Sequence, residues 1–265
     1  MLFNPSAVQA RKSPMSKAMF YEKPVLLNRE THRYSRIAPL SGYGFAGKTN
    51  SLYLATTEFA EACKEYPIVF TRGADQVIVP VAVLGLRPDE NLFVDATGAW
   101  GGRYIPAYAR RYPFVMAELG DQQLGLCIDE AYPGLGADQG EALFDDQGGN
   151  TQFLQNALDF LNRYQIEASR TARFCQQLHV ADLLTEMNAK ADMADGTSFT
   201  VNGLLVVDER KFLALQDKEV LALFRAGEMS WVYAHLLSLA NMTRLVERLS
   251  ALRRTESAAL AQAAT

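Results

Sequence analysis

The sequence predicts an α+β protein, and three observations predict it. Extended, β-branched runs crowd the first half of the chain. At Thr151 the apolar pattern changes to helical spacing. Strands and helices then follow one another without the regular alternation of a doubly wound sheet. With 265 residues, 49% of them hydrophobic and 21% charged, the chain has the length and composition for a proper core.

Residues 1–19 carry Arg11 and Lys12 with no apolar run behind them, so they read as a leader or flexible tail, with Met15 as an alternative start. One domain is expected over residues 20–252, strand-rich over 20–131 and helix-rich over 150–252, with a flexible tail over 253–265. Extended segments are expected at 20–27 and 33–38, a Gly-rich loop at 41–50 and a short helix at 56–66. Residues 68–71 and 77–84 are β-branched runs around the turn Arg72-Gly73-Ala74-Asp75, and 114–119 with 124–128 read as a hairpin around Gly120-Asp121-Gln122-Gln123. Residues 132–150, rich in Gly and Asp, look like an exposed connection between the halves.

From Thr151 onward, Leu154, Leu158, Leu161, Ala168, Ala172, Cys175 and Leu178 mark one face of a long helix ending near Leu184. Thr151 or Asn150 can cap its start. A second strand pair is expected at 188–193 and 198–207 around Ala194-Asp195-Gly196. Helices follow at 208–224 and, past Gly227, at 230–252, with Leu236, Leu237, Leu239 and Leu245 inward.

Composition narrows the function. A net charge of -4 argues against a nucleic-acid partner. The longest apolar stretch, residues 77–86, is about half the roughly 20 residues of a membrane-spanning helix, so no membrane insertion is expected. Cys63, Cys127 and Cys175 are odd in number, form no CxxC pair and stand at no zinc spacing from His32, His179 or His235. Buried thiols in the cytoplasm are expected, with no metal and no cofactor.

Two stretches carry candidate chemistry. Gly42, Gly47, Lys48 and Thr49 match the phosphate-loop pattern GxxxxGKT, which makes nucleotide binding an alternative. Yet a phosphate loop opens a helix, and residues 50–55 look extended. The other stretch is residues 100–111, where Arg103, Arg110 and Arg111 interleave with Trp100, Tyr104 and Tyr108. Guanidinium forks accept carboxylate, phosphate or sulfate, and aromatic faces stack on sugars, so an anionic or sugar ligand is expected here. The competing reading buries the rings and pairs the arginines with Asp95 and Glu118. Asp129-Glu130 and Asp145-Asp146 read as solvated loop acids. His235 reads as a neutral core histidine bonded to a backbone carbonyl, and His32 as exposed; either is a candidate proton carrier if the chain is an enzyme.

The run Tyr66-Pro-Ile-Val-Phe70, then Pro80-Val-Ala-Val-Leu-Gly-Leu-Arg-Pro88 with Glu90-Asn-Leu-Phe-Val94, resembles the signature of the SapC-like bacterial family. Tyr104-Ile-Pro-Ala, Arg110-Arg-Tyr-Pro-Phe114, Val207-Asp-Glu209 and Tyr233-Ala-His-Leu-Leu-Ser-Leu239 continue it in order. The family takes its name from a surface-layer locus and is distinct from a peptide-transport permease of the same name. The resemblance implies an accessory role in surface-layer or surface-polymer biogenesis. Implied partners are a surface-layer component or a halogenase- or oxygenase-type enzyme. Two functions therefore compete: a non-catalytic binding or accessory protein, and an enzyme with its site at residues 100–111.

Overall fold

The structure, a computed structural model, describes residues 19–73, 76–120, 123–136, 138–192 and 197–263. The expected leader up to residue 18, with Met15, and the turn residues Ala74-Asp75, Asp121-Gln122 and Ala194-Asp195-Gly196 lie outside them. In chain order the strands of the first half are β1 (Pro24–Leu26), β2 (Arg36–Ile37), β3 (Ser51–Tyr53), β4 (Ile68–Arg72), β5 (Ile78–Val83), β6 (Phe114–Gly120) and β7 (Gln123–Asp129). Short helices α1 (Phe59–Ala62) and α2 (Ala107–Arg110) lie among them. Then come β8 (Glu141–Ala142), α3 (Gln152–Val180), β9 (Leu184–Asp192) and β10 (Ser198–Val207). The chain continues with α4 (Glu209–Leu213), α5 (Asp217–Ala226), α6 (Met229–Ser238) and α7 (Asn241–Ala263). This is an α+β protein, as the sequence predicts.

The described residues form two compact units, the first within residues 19–41 and 111–165, the second within 42–110 and 166–263. In the first, β1, β7 and β6 make an antiparallel sheet, with β6 and β7 paired from Phe114–Ile128 to Gly120–Gln123 as the predicted hairpin requires. The segment expected as an exposed connection between the halves, residues 132–150, belongs to this unit and is exposed over much of its length, yet it sends three side chains into the core. Tyr132, Leu143 and Phe144 are buried, and β8 pairs with β2. Asp129, expected in solvent, is fully buried. Its carboxylate accepts from the Glu22, Lys23 and Ala131 N–H groups, which replace the water it gives up.

The second unit is built on a five-stranded antiparallel sheet in the order β3-β5-β4-β10-β9. Ile68, Val69, Phe70, Ala82 and residues 204–207 are buried on it. Phe174 of α3 lies 6.5 Å from Phe70 and 5.2 Å, edge-on, from Trp231 of α6. Asp208 accepts from the Arg210 and Lys211 N–H groups and so starts α4. The single helix expected over 208–224 is two, α4 and α5, and Gly227 ends α5 with φ 73°. The helix expected over 230–252 is also two, α6 and α7. Alanine-rich sequence carries α7 on to Ala263.

The long helix α3 starts where expected, with the Leu154 N–H donating to Thr151 Oγ1 at 3.3 Å, and ends at Val180, so Leu184 already belongs to β9. Its inward register is Leu154, Leu161, Tyr164, Ala168, Thr171, Phe174, Cys175 and Leu178. Leu158 is only half-buried and Ala172 is exposed, because Thr171 and Phe174 hold the inward positions beside Ala172. Leu237 is likewise turned outward, at 72% exposure, while Trp231, Val232, His235 and Ser238 fill the inner face of α6.

Candidate functional site

Residues 100–107 in the second unit are fastened to the segment that precedes β4. The fastener on one side is Glu58, 6% exposed at the start of α1. Its Oε1 accepts from the Tyr104 hydroxyl and the Ala107 N–H, both at 2.7 Å, and its Oε2 accepts from the Ala55 N–H at 2.9 Å. Burial raises the Glu58 pKa, and the hydrogen bonds and the charge of Arg110 pull against it. With three donors converging on its two oxygens, Glu58 acts as a structural tie. Burial, reinforced by the Glu58 charge, also pushes the Tyr104 phenol up, so it stays a neutral donor.

On the other side stands Tyr66, fully buried. Its hydroxyl donates to the Tyr104 carbonyl and accepts from Trp100 Nε1 at 2.9 Å. The Glu65 carboxylate receives the Arg103 N–H through both oxygens, at 2.9 and 2.8 Å. Gly102 makes this approach possible, because a Cβ there would lie 2.5 Å from the Tyr66 hydroxyl and 2.6 Å from Glu65 Oε2.

The clamped loop leaves an open cleft of about 370 Å³ lined by Glu61, Lys64, Glu65, Arg103, Tyr104 and Arg244. Three of these are basic and two acidic. Lys64 pairs with Glu61 at 2.6 Å, and Arg244 Nη1 donates to the Lys64 carbonyl at 2.9 Å. Glu65 is taken up by the Arg103 main chain. Among the described residues the Arg103 guanidinium meets no acid, so the cleft presents a guanidinium fork beside an aromatic ring.

The other expected site residues separate. Trp100 is half-buried and meets Tyr43 edge-on at 5.6 Å, behind the clamp. Arg110 is exposed. It donates from Nε to the Ile105 carbonyl at 2.9 Å and lies 5.9 Å from the Tyr104 ring centre. Arg111 belongs to the first unit, where it is buried against the Tyr21 and Tyr164 rings at 5.8 and 5.3 Å. Asp95, expected to pair with an arginine, is spent on its own turn, accepting from the Thr97 and Ala99 N–H groups.

His235 sits in the second unit's core with no exposed surface. Nδ1 donates to the Ile68 carbonyl at 2.8 Å and Nε2 accepts from the Val207 N–H at 3.0 Å, and burial pushes its pKa down to about 4. It is the neutral core histidine that its apolar flanks predict. His32, in the first unit, is buried and not exposed. Its ring fills the turn that Asn28 opens, accepting the Asn28 N–H on Nδ1 at 3.1 Å, with Nε2 3.5 Å from Glu130. Cys127 and Cys175 are buried, and burial raises the Cys175 thiol to about 12; Cys63 is half-buried.

The phosphate-loop match has a different backbone. Residues 44–46 make a single 3-10 turn and the chain then enters β3, so the loop does not open a helix, and Lys48 is exposed. Glu58, Glu65, Gly102 and Arg244 were missed by sequence reasoning. The Gly101-Gly102 pair beside Trp100 was the available signal, since adjacent glycines among aromatics mark close backbone approach.

The fold and cleft define an α+β protein with a small mixed-charge cleft. No helix among the described residues is long and apolar enough to cross a membrane, and no group of three or more His, Cys, Asp or Glu there gathers for a metal. The SapC family model matches residues 27–245, and the chain belongs to the SapC family. Comparisons with curated proteins and with solved structures found no match.

Proposed function

We propose that this chain is a non-catalytic binding protein that takes an anionic group in the cleft between Arg103, Tyr104 and Arg244. The observation that carries the reading is the Arg103 guanidinium, which borders an open cleft with no acid partner among the described residues. A carboxylate, phosphate or sulfate oxygen pair fits its fork, Arg244 adds a second positive charge, and the Tyr104 ring offers an apolar face to an attached sugar. The proposal extends to an accessory role in surface-layer or surface-polymer biogenesis, acting in the cytoplasm. The anion then belongs to an acidic polymer unit, a peptide or a partner enzyme.

A thermal-shift series with sulfate, phosphate and glucuronate tests this. A ligand at a hundredfold excess over its dissociation constant stabilises the folded state by about 2.7 kcal/mol. The wild type should gain several degrees, and Arg103→Ala should lose that gain. Equal shifts in both proteins would remove the cleft from the account.

A further inference from the structure

The cleft at Arg103 is not purely basic. Two carboxylates line it beside the three cations, and one of them is set into its wall. Glu65 is half-buried and fixed by the Arg103 N–H, which it accepts on both oxygens at 2.9 and 2.8 Å. Each carboxylate oxygen has two lone pairs, so this one N–H does not exhaust it. Glu61 and Lys64 pair at 2.6 Å in the open, with side chains 58% and 60% exposed, and cancel as charges. What remains in the lining is two guanidinium groups, Arg103 and Arg244, against the carboxylate of Glu65.

That charge pattern selects among anions. A plain dianion placed at Arg103 also meets Glu65, and like charges in one cleft work against binding. A ligand that brings its own ammonium turns the same carboxylate from a repulsive neighbour into an acceptor. Two guanidinium groups and one carboxylate are complemented by two carboxylates and one ammonium. The Tyr104 hydroxyl is taken by Glu58, which leaves the ring for the methylene groups that join those charges. Resting on the reading that this cleft binds an anion, we propose that its ligand is an amino dicarboxylate of the glutamate class. The ammonium goes to Glu65 and the carboxylates to Arg103 and Arg244. Glu65 is then the residue that determines specificity, and Arg103 the one that supplies affinity.

Calorimetric titration of the full chain with glutamate, glutarate, glutamine and sulfate tests the proposal. Glutarate keeps both carboxylates and lacks the ammonium, whereas glutamine keeps the ammonium and lacks one carboxylate. The wild type should bind glutamate about tenfold more tightly than either. Glu65→Gln should weaken glutamate by about tenfold and leave glutarate unchanged or tighter, because a negative neighbour has gone. Thermal unfolding checks that the variant folds, and the wild-type ligand series decides without it. Glutarate bound as tightly as glutamate overturns the proposal and leaves the anion reading standing. A folded Glu65→Gln that loses both ligands alike also overturns it, since Glu65 then serves the clamp alone. A wild type that binds none of the four, sulfate included, overturns both.

Discussion

Acidification should destabilise the second unit through His235, by an amount the structure sets. In the fold the ring is neutral, with Nε2 already accepting the Val207 N–H, so a proton there would displace that bond inside the core. Burial lowers its pKa from the ordinary 6.5 to about 4. Between those two values the unfolded chain binds a proton that the folded chain refuses, so stability falls as the pH falls. At about 1.4 kcal/mol per pH unit, the displacement is worth about 3 kcal/mol, fully present above pH 6.5 and lost by about pH 4. Urea unfolding at intervals across that window reads the loss. His235→Asn, which keeps a donor and an acceptor but does not titrate, should lack that component. The ring resonances of His235 give an independent reading and should stay neutral through pH 5. A midpoint near 6.5 would refute the argument.

Two further outcomes follow from packing. Leu161→Ala, fully buried on α3, should cost about 2–5 kcal/mol in denaturant unfolding, while Leu158→Ala at its half-buried position should cost less than half as much. Equal costs would mean that the helix register is wrong. Gly102→Ala puts a Cβ against the Tyr66 hydroxyl, which two hydrogen bonds hold in place. It should destabilise by about 1–3 kcal/mol and weaken anion binding, and a neutral result would show that the clamp has slack.

The sequence made the local elements legible and left the site obscure, for physical reasons. The β4–β5 and β6–β7 pairs and the start of α3 follow from β-branched runs, turn chemistry and a capping threonine, which are signals carried within a few residues. Arg103 and Tyr104 were legible as a guanidinium among rings. Their cleft was not, because Lys64 and Arg244 reach it through the fold from far along the chain. The errors share a cause. Leu158, Leu237, His32 and Asp129 were assigned from polarity and spacing, and burial was decided by which neighbours filled the adjacent positions. Thr171 and Phe174 took the inward face from Ala172, and three backbone N–H groups made Asp129 affordable in the core.

Calorimetric titration of the wild type, Arg103→Ala and Lys48→Ala with glucuronate, sulfate and ATP with Mg²⁺ tests the binding-protein account most directly. The account predicts saturable binding of glucuronate or sulfate by the wild type, unchanged in Lys48→Ala and lost in Arg103→Ala. Saturable ATP binding abolished by Lys48→Ala, with Arg103→Ala indistinguishable from the wild type, would contradict it.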